Sequence, residues 1–490
     1  MKKLVFLFPI ILIAAGCSMN DPTSNKKSVA IINNLAEQKV DKPAYKAYGD
    51  GRSHPLKNRF STQLEAEKEY PFLKSYLRKH PNVNWEKLEF NFCAIQQSLT
   101  DGHETRIPPG TYLINRPIEQ ENMRLIGEGR GKSKLVQTDP TQPVLITGGV
   151  PYISDLYIGH SALPSPKEKV PNGTGIYLKT GLRDGAVLER LYIESNTSGI
   201  FLRENSSVHL YSSSIRDIRI ARFRHSAMYL ASRGNTGNVI SNIYAVNWDD
   251  YNKKTKLQAK YGFVLKGFDD GIAMQLNIEH GLYGKGIVLS GSNIGLDSIH
   301  FEGYEPSENY GSFFYVDGDS KTTIRNTSLV YSRFDEKKAS NYSILFIGDN
   351  SNIVMNGFRE RKNNVIGTPR LRKFYGTSTI GNKASITAEN FYMEDKLFRT
   401  DDYFPIHPVI PIVRQYNDER YFWTEGETRY FVKDSMPKSG TYQKGDVVLN
   451  ADAAKQLAKG QPYVQEWIRL TNGSRHILGK DWLEVKKQVK

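Results

Sequence analysis

Large apolar residues alternate with other residues in a short strand pattern that repeats along the middle of the chain. One set of these strands is GIYL (175), GIFL (199), AMYL (227), GFVL (262), GIVL (286) and ILFI (344). A second set follows behind the first and consists of LYIE (191), IRIA (218), IYAV (243), LNIE (276) and IHFE (299). Strands that recur every ~20 to 50 residues are typical of a solenoid, in which each coil stacks on the preceding one.

The alternation within the second set predicts which side chains point out of the solenoid. The first and third residues of each strand are apolar or small and suit the interior, so the second and fourth residues face outward. Stacked coils therefore carry two exposed columns of side chains. The first column is Tyr192, Arg219, Tyr244, Asn277 and His300, and the second is Glu194, Ala221, Val246, Glu279 and Glu302.

Glu279 and Glu302 are candidate catalytic residues because they occupy the same position on successive coils. Neighbouring strands lie ~4.8 Å apart, and like charges at that distance raise the pKa of one carboxyl group. Such a carboxyl can act as a general acid beside an ionised partner. The alternative is a pair of solvated glutamates whose repulsion is relieved by lysines. The first column is the candidate substrate-binding surface, since sugar rings stack on aromatic faces and arginine binds carboxylates.

The longest connection between these coils begins with NWDDYNKK, residues 247–254. Long loops on one face of a solenoid often form the walls of binding grooves. Trp248 and Tyr251 are therefore predicted to contact sugar rings, and Asp249 and Asp250 are further candidates for an acid or a nucleophile. A turn with solvated aspartates is the alternative.

The segment before the repeats predicts a helix followed by two short strands. WEKLEFNFCAIQQSLTDG (85–102) has apolar residues at helical spacing and ends at an Asp-Gly stop signal. TRIPPGTYLINRPI (105–118) contains two β-type runs around a Pro-Pro-Gly turn.

Parts of this region, AIQQSL, RIPPGTYLI and MRLIGEG, together with YGDG (48–51), resemble the opening of pectate-lyase-superfamily proteins. These are right-handed parallel β-helices, and they include phage tailspikes and polysaccharide lyases. The resemblance implies an all-β right-handed parallel β-helix (solenoid) with an N-terminal capping helix. It says little about substrate, because such folds carry many chemistries.

The start of the chain reads as an export signal. Lys2 and Lys3 precede an apolar run, and the AAGC ending resembles a bacterial lipoprotein signal, which would make Cys17 the lipid-modified first residue. Ala14 stands where that signal usually has Leu, and an ordinary secretory signal is the alternative. A lipid-anchored protein of the bacterial cell envelope, in the outer membrane, is the resulting expectation.

The predicted organisation follows from these patterns and from a change beyond about residue 400. There PKSGTYQKGDVVLN (437–450), EWIRLTNG and DWLEV resemble small β modules at the ends of tailspike-like and carbohydrate-active proteins. Trp467 and Trp482 are predicted as the core of that module or as a sugar-contacting face. The predicted divisions are a signal peptide (1–16), a flexible tether (17–45), an N-terminal cap region (46–84), the parallel β-helix (85–395) and a C-terminal β-rich module (396–490).

Charge and composition restrict the partners and cofactors. The chain has 66 Lys+Arg against 52 Asp+Glu, a net charge of +14, which favours an anionic partner. An acidic polysaccharide and a membrane contacted through the lipid anchor are the expected partners, and no nucleic acid is expected. No HExxH motif occurs and the ten histidines are scattered, so no metal site is predicted. Calcium is left open because many pectate lyases use it, and the likeness to tailspikes leaves a homotrimer open.

Three functions compete. The first is an exported, membrane-anchored glycoside hydrolase that acts on an acidic polysaccharide with two of the four acidic candidates. The second is a polysaccharide lyase, in which Arg219 or Arg222 neutralises the carboxylate of a uronate. Tyr244, His300 or His225 would then abstract the C5 proton. The third is a surface lipoprotein that binds polysaccharide in the same groove without chemistry.

Overall fold

Inward-facing apolar side chains stack from coil to coil and form the core of a parallel β-helix. One interior column runs in strict register through eight coils, and each of its side chains is at most 2% exposed. Its members are Leu135, Ile158, Ile193, Ile220, Ala245, Ile278, Phe301 and Leu329. Burial of each large apolar side chain contributes about 1.5–3 kcal/mol. The predicted all-β solenoid is confirmed.

The computed structural model describes residues 46–203, 207–250, 255–306, 312–330, 343–347, 351–361, 375–377, 385–393, 413–414, 422–425, 428–433, 435–450 and 463–487. Cys17, the predicted site of lipid attachment, therefore lies outside the described residues. Within these ranges, no helix is long and apolar enough to cross a membrane.

The strands of the solenoid region, in chain order, are β1 (Thr105–Ile107), β2 (Gly110–Ile114), β3 (Ile118–Glu119), β4 (Arg124–Gly127), β5 (Ser133–Gln137), β6 (Leu145–Gly149), β7 (Tyr152–Ser154), β8 (Tyr157–His160), β9 (Ile176–Leu182), β10 (Val187–Glu189), β11 (Tyr192–Leu202), β12 (Ser214–Asn235), β13 (Asn238–Val246), β14 (Trp248–Asp250), β15 (Thr255–Lys256), β16 (Gln258–Phe268), β17 (Gly271–Ser290), β18 (Gly295–Asp297), β19 (His300–Pro306), β20 (Ser312–Asp317), β21 (Lys321–Val330), β22 (Ser343–Ile347), β23 (Asn352–Arg361), β24 (Tyr375–Thr377) and β25 (Ser385–Met393). Beyond them follow β26 (Val413–Arg414), β27 (Phe422–Glu425), β28 (Thr428–Lys433), β29 (Val447–Asn450), β30 (Tyr463–Arg469) and β31 (Trp482–Lys487).

Three parallel sheets run along the solenoid, because each coil adds a strand to each of them. Sheet 1 contains β1, β4, β7, β10, β18 and the first parts of β12, β13, β17, β21, β23 and β25. Sheet 2 contains β2, β5, β8, β19, the first part of β11, the middle of β12 and β17, and the last parts of β13, β21, β23 and β25. Sheet 3 contains β3, β6, β9, β16, β20, β22, β24 and the last parts of β11, β12 and β17.

The two sets of repeated strands in the sequence correspond to sheets 3 and 2. The first set pairs as predicted, except that β20 lies between the GIVL and ILFI strands. The β20 strand, SFFYVD, belongs to a coil that the repeat pattern did not predict. The repeat pattern did not predict sheet 1, whose strands are shorter.

A single residue in the left-handed conformation turns the chain from sheet 1 to sheet 2 on successive coils. These residues are Asp155 (φ 59), Arg190 (φ 51), Asp217 (φ 56), Asn242 (φ 52), Gln275 (φ 53), Ser298 (φ 56) and Asn326 (φ 52). A non-glycine residue pays roughly 1–2 kcal/mol for this conformation. Stacking of the strands on both sides of the turn offsets that cost and makes each turn repeat the last.

From residue 46, where the description begins, three α-helices precede the first coil: α1 (Gln63–Glu69), α2 (Phe72–Lys79) and α3 (Phe90–Thr100). The predicted capping helix is α3, and it begins at Phe90 because Trp85–Lys87 forms a separate 3-10 turn. Phe92, Cys93 and Ile95 of α3 are buried in the same core as the first coils. The helix therefore closes the N-terminal end of the interior.

The C-terminal strands β28 to β31 surround a small separate core. Trp467 and Trp482 are 5% and 0% exposed and pack with Phe431, Tyr442 and Val448. The two tryptophans are therefore core residues, as the first of the two readings predicted, and do not form a sugar-contacting face.

The register of sheet 2 can be tested at β19 and the residue before it. Ile299 and Phe301 are 1% and 0% exposed, whereas the His300 side chain is 29% exposed. Ile299→Asp and Phe301→Asp should each destabilise the fold by more than about 4 kcal/mol, because each buries an unpaired charge. His300→Ala is the matched control and should melt near the parent temperature in circular dichroism. Equal destabilisation by all three would contradict the register.

Candidate functional site

The two predicted columns lie side by side on the outer face of sheet 2. Backbone pairing joins Tyr192, Arg219, Tyr244, Asn277 and His300 in that order. The same strands pair Glu194, Ala221, Val246, Glu279 and Glu302. The predicted register is confirmed, and it brings seven of the twelve candidate site residues other than Cys17 into one surface.

Glu279 and Glu302 are directly paired neighbours in different surroundings. The Glu279 side chain is 11% exposed and the Glu302 side chain is 31% exposed. The Tyr244 hydroxyl donates a hydrogen bond to Glu279 Oε2, and His300 Nε2 lies 3.3 Å from Glu302 Oε2. One oxygen of each carboxylate and a His300 nitrogen lie within 4.8 Å of one another. Two acidic groups and an imidazole therefore converge on one point.

The surroundings of Glu279 favour its protonated form. Burial raises the pKa of Glu279, and the charge of Glu302 raises it further. The hydrogen bond from Tyr244 acts in the opposite direction, because it stabilises the carboxylate. Burial, and then Glu279, raise the pKa of the Tyr244 hydroxyl above its usual range. Tyr244 therefore remains a hydrogen-bond donor.

A second left-handed turn follows the carboxylate column, where sheet 2 bends towards sheet 3. Its residues on four of the coils are Ser195 (φ 61), Arg222 (φ 53), His280 (φ 47) and Gly303 (φ 58). A Cβ atom on Gly303 would lie 2.5 Å from Nδ1 of His280. Non-glycine residues adopt the same backbone conformation on the other three coils, so glycine is required at 303 for the space that the His280 ring occupies.

The hairpin of β14 and β15 leaves the solenoid beside this turn, and we call it the Trp248 hairpin. Asn247 joins its two ends, since the Asn247 carbonyl accepts the Leu257 amide at 2.9 Å. The rings of Trp248 and His280 have centroids 4.4 Å apart. His280 Nε2 in turn lies 3.9 Å from Glu279 Oε2. The hairpin therefore forms one wall of the site, next to Glu279.

Two further contacts hold the hairpin in place. Asp249 Oδ1 lies 3.3 Å from Arg222 Nη2. Lys256 Nζ donates to the Gly303 carbonyl at 2.6 Å and to Glu305 Oε1 at 2.8 Å. Asp249 is thus engaged by an arginine and is not directed at the glutamate pair. These contacts lie on coils before and after the Glu279 coil, so the hairpin spans several coils.

The remaining predicted residues divide into two groups. Trp248, Asp249 and Arg222 belong to the hairpin wall. Tyr251 lies outside the described residues, and the side chain of Asp250 does too.

Four residues that contribute to the site were not among the candidates: Glu194, His280, Gly303 and Lys256. The first three have a repeat signal, because they occupy the carboxylate column or the residue that follows it. Lys256 has no such signal, since its partners are distant in sequence.

The converging Glu279, His300 and Glu302 side chains could also hold a divalent cation. Two carboxylates and an imidazole suit transition metals such as zinc or manganese. Calcium prefers six to eight oxygen ligands, so this donor set fits calcium poorly.

No family model matches this chain, and no curated protein matches it. Among solved structures, the catalytic domain of a GH87 α-1,3-glucanase in complex with tetrasaccharides aligns at a TM-score of 0.36 and 14% identity, covering 54% of this chain and 58% of that domain. The tailspike protein gp49 from Pseudomonas phage LKA1 aligns at a TM-score of 0.36 and 12% identity, covering 70% of this chain and 82% of the tailspike chain. The gp42 tailspike of Acinetobacter phage vb_AbaP_AS12 aligns at a TM-score of 0.39 and 13% identity, covering 81% of this chain and 78% of the tailspike chain.

The opposing influences on Glu279 can be separated by removing the Tyr244 hydroxyl. Tyr244→Phe takes away the hydrogen bond that lowers the pKa of Glu279 and keeps the burial that raises it. The pKa of Glu279 should therefore rise further, so that protonation persists to higher pH. Carboxyl NMR of glutamate-labelled protein, assigned by comparison with Glu279→Gln, measures this titration. Tyr192→Phe, two coils away in the same column, should leave it unchanged; a fall in the Tyr244→Phe variant would contradict the geometry.

Proposed function

We propose that the protein is a glycoside hydrolase that cleaves an acidic polysaccharide at Glu279 and Glu302. The observation that carries the proposal is the pairing of two carboxyl groups in unequal environments on an outer sheet face. A buried carboxyl with a raised pKa beside a more exposed partner is the arrangement that acid-base cleavage of a glycosidic bond needs.

Each glutamate has a distinct role in this proposal. Glu279 is the general acid that protonates the leaving oxygen, because burial and the neighbouring charge favour its protonated form. Glu302 is the ionised carboxylate, with His300 at 3.3 Å as its neighbour. Oxygens of the two groups lie within 4.8 Å, closer to the ~5–5.5 Å of retaining enzymes than to the ~6.5–9.5 Å of inverting ones. Glu302 is therefore assigned as the nucleophile of a retaining reaction.

In that reaction Glu302 attacks the anomeric carbon while Glu279 protonates the departing oxygen. Water then hydrolyses the glycosyl-Glu302 ester, and Glu279 accepts the proton of that water, which restores both groups. Tyr244 keeps the Glu279 carboxyl oriented through both steps.

The lyase alternative needs a base that removes a C5 proton, and two of its candidates are poorly suited. The Tyr244 hydroxyl already donates a hydrogen bond to Glu279, and its pKa is raised. His225 packs against the rings of Phe201, Tyr229 and Tyr261, and burial lowers its pKa to about 4. His300 with Arg219 remains as the lyase pair. A binding protein without chemistry is the third candidate.

A panel of acidic polysaccharides incubated with the purified protein separates these functions. New reducing ends without ultraviolet absorbance identify a hydrolase. New reducing ends with absorbance from an unsaturated uronate identify a lyase and overturn the proposal. Binding without either signal identifies a non-catalytic protein. Retained anomeric configuration in the first NMR-detected product supports Glu302 as the nucleophile.

Glu279→Gln and Glu302→Gln should each fold normally, bind polysaccharide and lose 10²- to 10⁴-fold or more in kcat, because each substitution keeps the shape and removes proton transfer or attack. Glu104→Gln is the control, since Glu104 forms ion pairs with Arg106 and Arg124 outside this face. Cleavage by the parent should survive EDTA if the pair acts by acid-base chemistry. Full activity in both Gln variants, or complete loss with EDTA, would contradict the assignment.

We also propose that the protein is exported and anchored to the bacterial outer membrane by a lipid on Cys17. The support is the signal-like sequence of residues 1–16 and the AAGC ending. Cys17→Ala should move the protein from the membrane fraction to the soluble fraction of fractionated cells, with no change in its melting temperature. A variant that stays with the membrane would contradict the anchor. Trimerisation stays a prediction from the likeness to tailspikes.

A further inference from the structure

Arg219 lies between two tyrosines of the same column, one on each neighbouring coil. Its guanidinium carbon is 5.6 Å from the ring centroid of Tyr192 and 5.0 Å from that of Tyr244. Rings on both sides hold the cation in place through their negative faces. Arg219 is nevertheless exposed at the surface of the groove.

The carboxylates nearest to Arg219 are engaged by other groups. Glu279 accepts the hydrogen bond of Tyr244, and Glu194 Oε1 lies 3.8 Å from Arg222 Nη1. Across the described part of the chain, Arg219 forms no ion pair within 4.0 Å, whereas Arg190, Arg216 and Arg222 each do. Arg219 thus presents an oriented positive charge that has no ion-pair partner within 4.0 Å among the described residues.

The adjacent column offers no charge at this level. Ala221 lies beside Arg219 on the same coil and Val246 lies on the next, and they are 5% and 6% exposed. Both side chains are short and apolar, in contrast to Glu194 and Glu279 on either side of them. Both side chains are also almost fully buried, so this column presents no charged group to a ligand beside the Arg219 guanidinium.

We propose that Arg219 forms a subsite for the carboxylate of a uronic acid residue in the polysaccharide. Its planar fork can donate two parallel hydrogen bonds to a carboxylate, which adds geometric selection to charge. Arg219 is two coils from Glu279, or ~10 Å along the solenoid at ~4.8 Å per coil. The charged sugar therefore lies at a fixed distance from the cleavage point, on its N-terminal side. The assignment of a cleavage point rests on the proposed function, whereas the binding of a uronate by Arg219 does not.

The experiment measures binding without cleavage. The full chain carrying Glu279→Gln and Glu302→Gln is titrated by calorimetry with oligosaccharides of galacturonate, glucuronate, mannuronate and guluronate. Each is compared with its carboxyl-reduced form and with a sulfated neutral oligosaccharide. We expect at least one uronate series to bind more tightly than its reduced form and than the sulfated sugar.

Substitutions at Arg219 then locate that preference. Arg219→Gln should weaken uronate binding by about 10- to 100-fold and leave binding of the reduced form unchanged, because only the charged hydrogen bonds are lost. Arg219→Lys keeps the charge without the fork and should fall between the two. Arg124→Gln is the matched control: Arg124 lies 5.5 Å from the Tyr152 ring on sheet 1, and its replacement should change neither affinity.

Several outcomes would overturn the subsite. One is that no uronate series binds more tightly than its reduced form; another is that Arg219→Gln weakens both forms equally, as a structural role requires. Stronger binding of the sulfated sugar would also contradict it. Failure of the hydrolase proposal is distinguishable, since it appears as missing reducing ends with the parent protein. If the parent protein cleaves carboxyl-reduced polysaccharide as efficiently as the acidic form, the hydrolase proposal stands and the Arg219 subsite is contradicted.

Discussion

Coil-to-coil stacking of the inward-facing side chains of sheet 2 is the constraint on which the rest of the structure depends. The side-chain period of a strand is two, so a slip of one residue in one coil would exchange its inner and outer faces. In β19 such a slip would bury Glu302 and expose Phe301. Burial of the carboxylate and exposure of the aromatic ring would each reduce the free energy of unfolding by several kcal/mol. The core therefore fixes which residues stand in the groove. It also fixes their separation, because the ladder of backbone hydrogen bonds sets the distance between coils.

The turn from sheet 2 to sheet 3 converts that repeated backbone into a site. On four coils a left-handed residue follows the carboxylate column, and on two consecutive coils this residue is His280 and then Gly303. The absent side chain of Gly303 leaves space for the His280 ring, and that ring supports Trp248. A strained backbone position is retained here because the stacked strands on both sides hold it. The wall of the groove thus depends on one glycine as much as on the hairpin.

The two central glutamates differ in behaviour although they occupy equivalent positions. Glu279 lies under the hairpin wall and receives the Tyr244 hydroxyl, while Glu302 is about three times as exposed at its side chain, 31% against 11%. Burial costs the charged form more than the neutral form, so the proton of the pair resides preferentially on Glu279. Arg219, held between tyrosines and without a carboxylate partner in the described residues, adds a positive charge to the same face. One sheet face therefore combines a proton donor, a carboxylate and a cation in a set order.

The amino-acid sequence alone determined the parallel β-helix, the inward and outward faces of sheet 2, and the order of the two columns, because strand alternation and coil stacking are local, periodic rules. It also placed Glu279 beside Glu302. It did not reveal sheet 1 or helices α1 and α2, whose patterns are short, and it did not reveal the coil at β20. It also ranked Asp249 with the two glutamates. Only the tertiary structure decided that Asp249 contacts Arg222, that His280 lies over Gly303, and that Lys256 reaches Glu305. Those contacts join residues of different coils, and two of them depend on the direction in which the Trp248 hairpin folds back. No periodic pattern in the sequence encodes that direction.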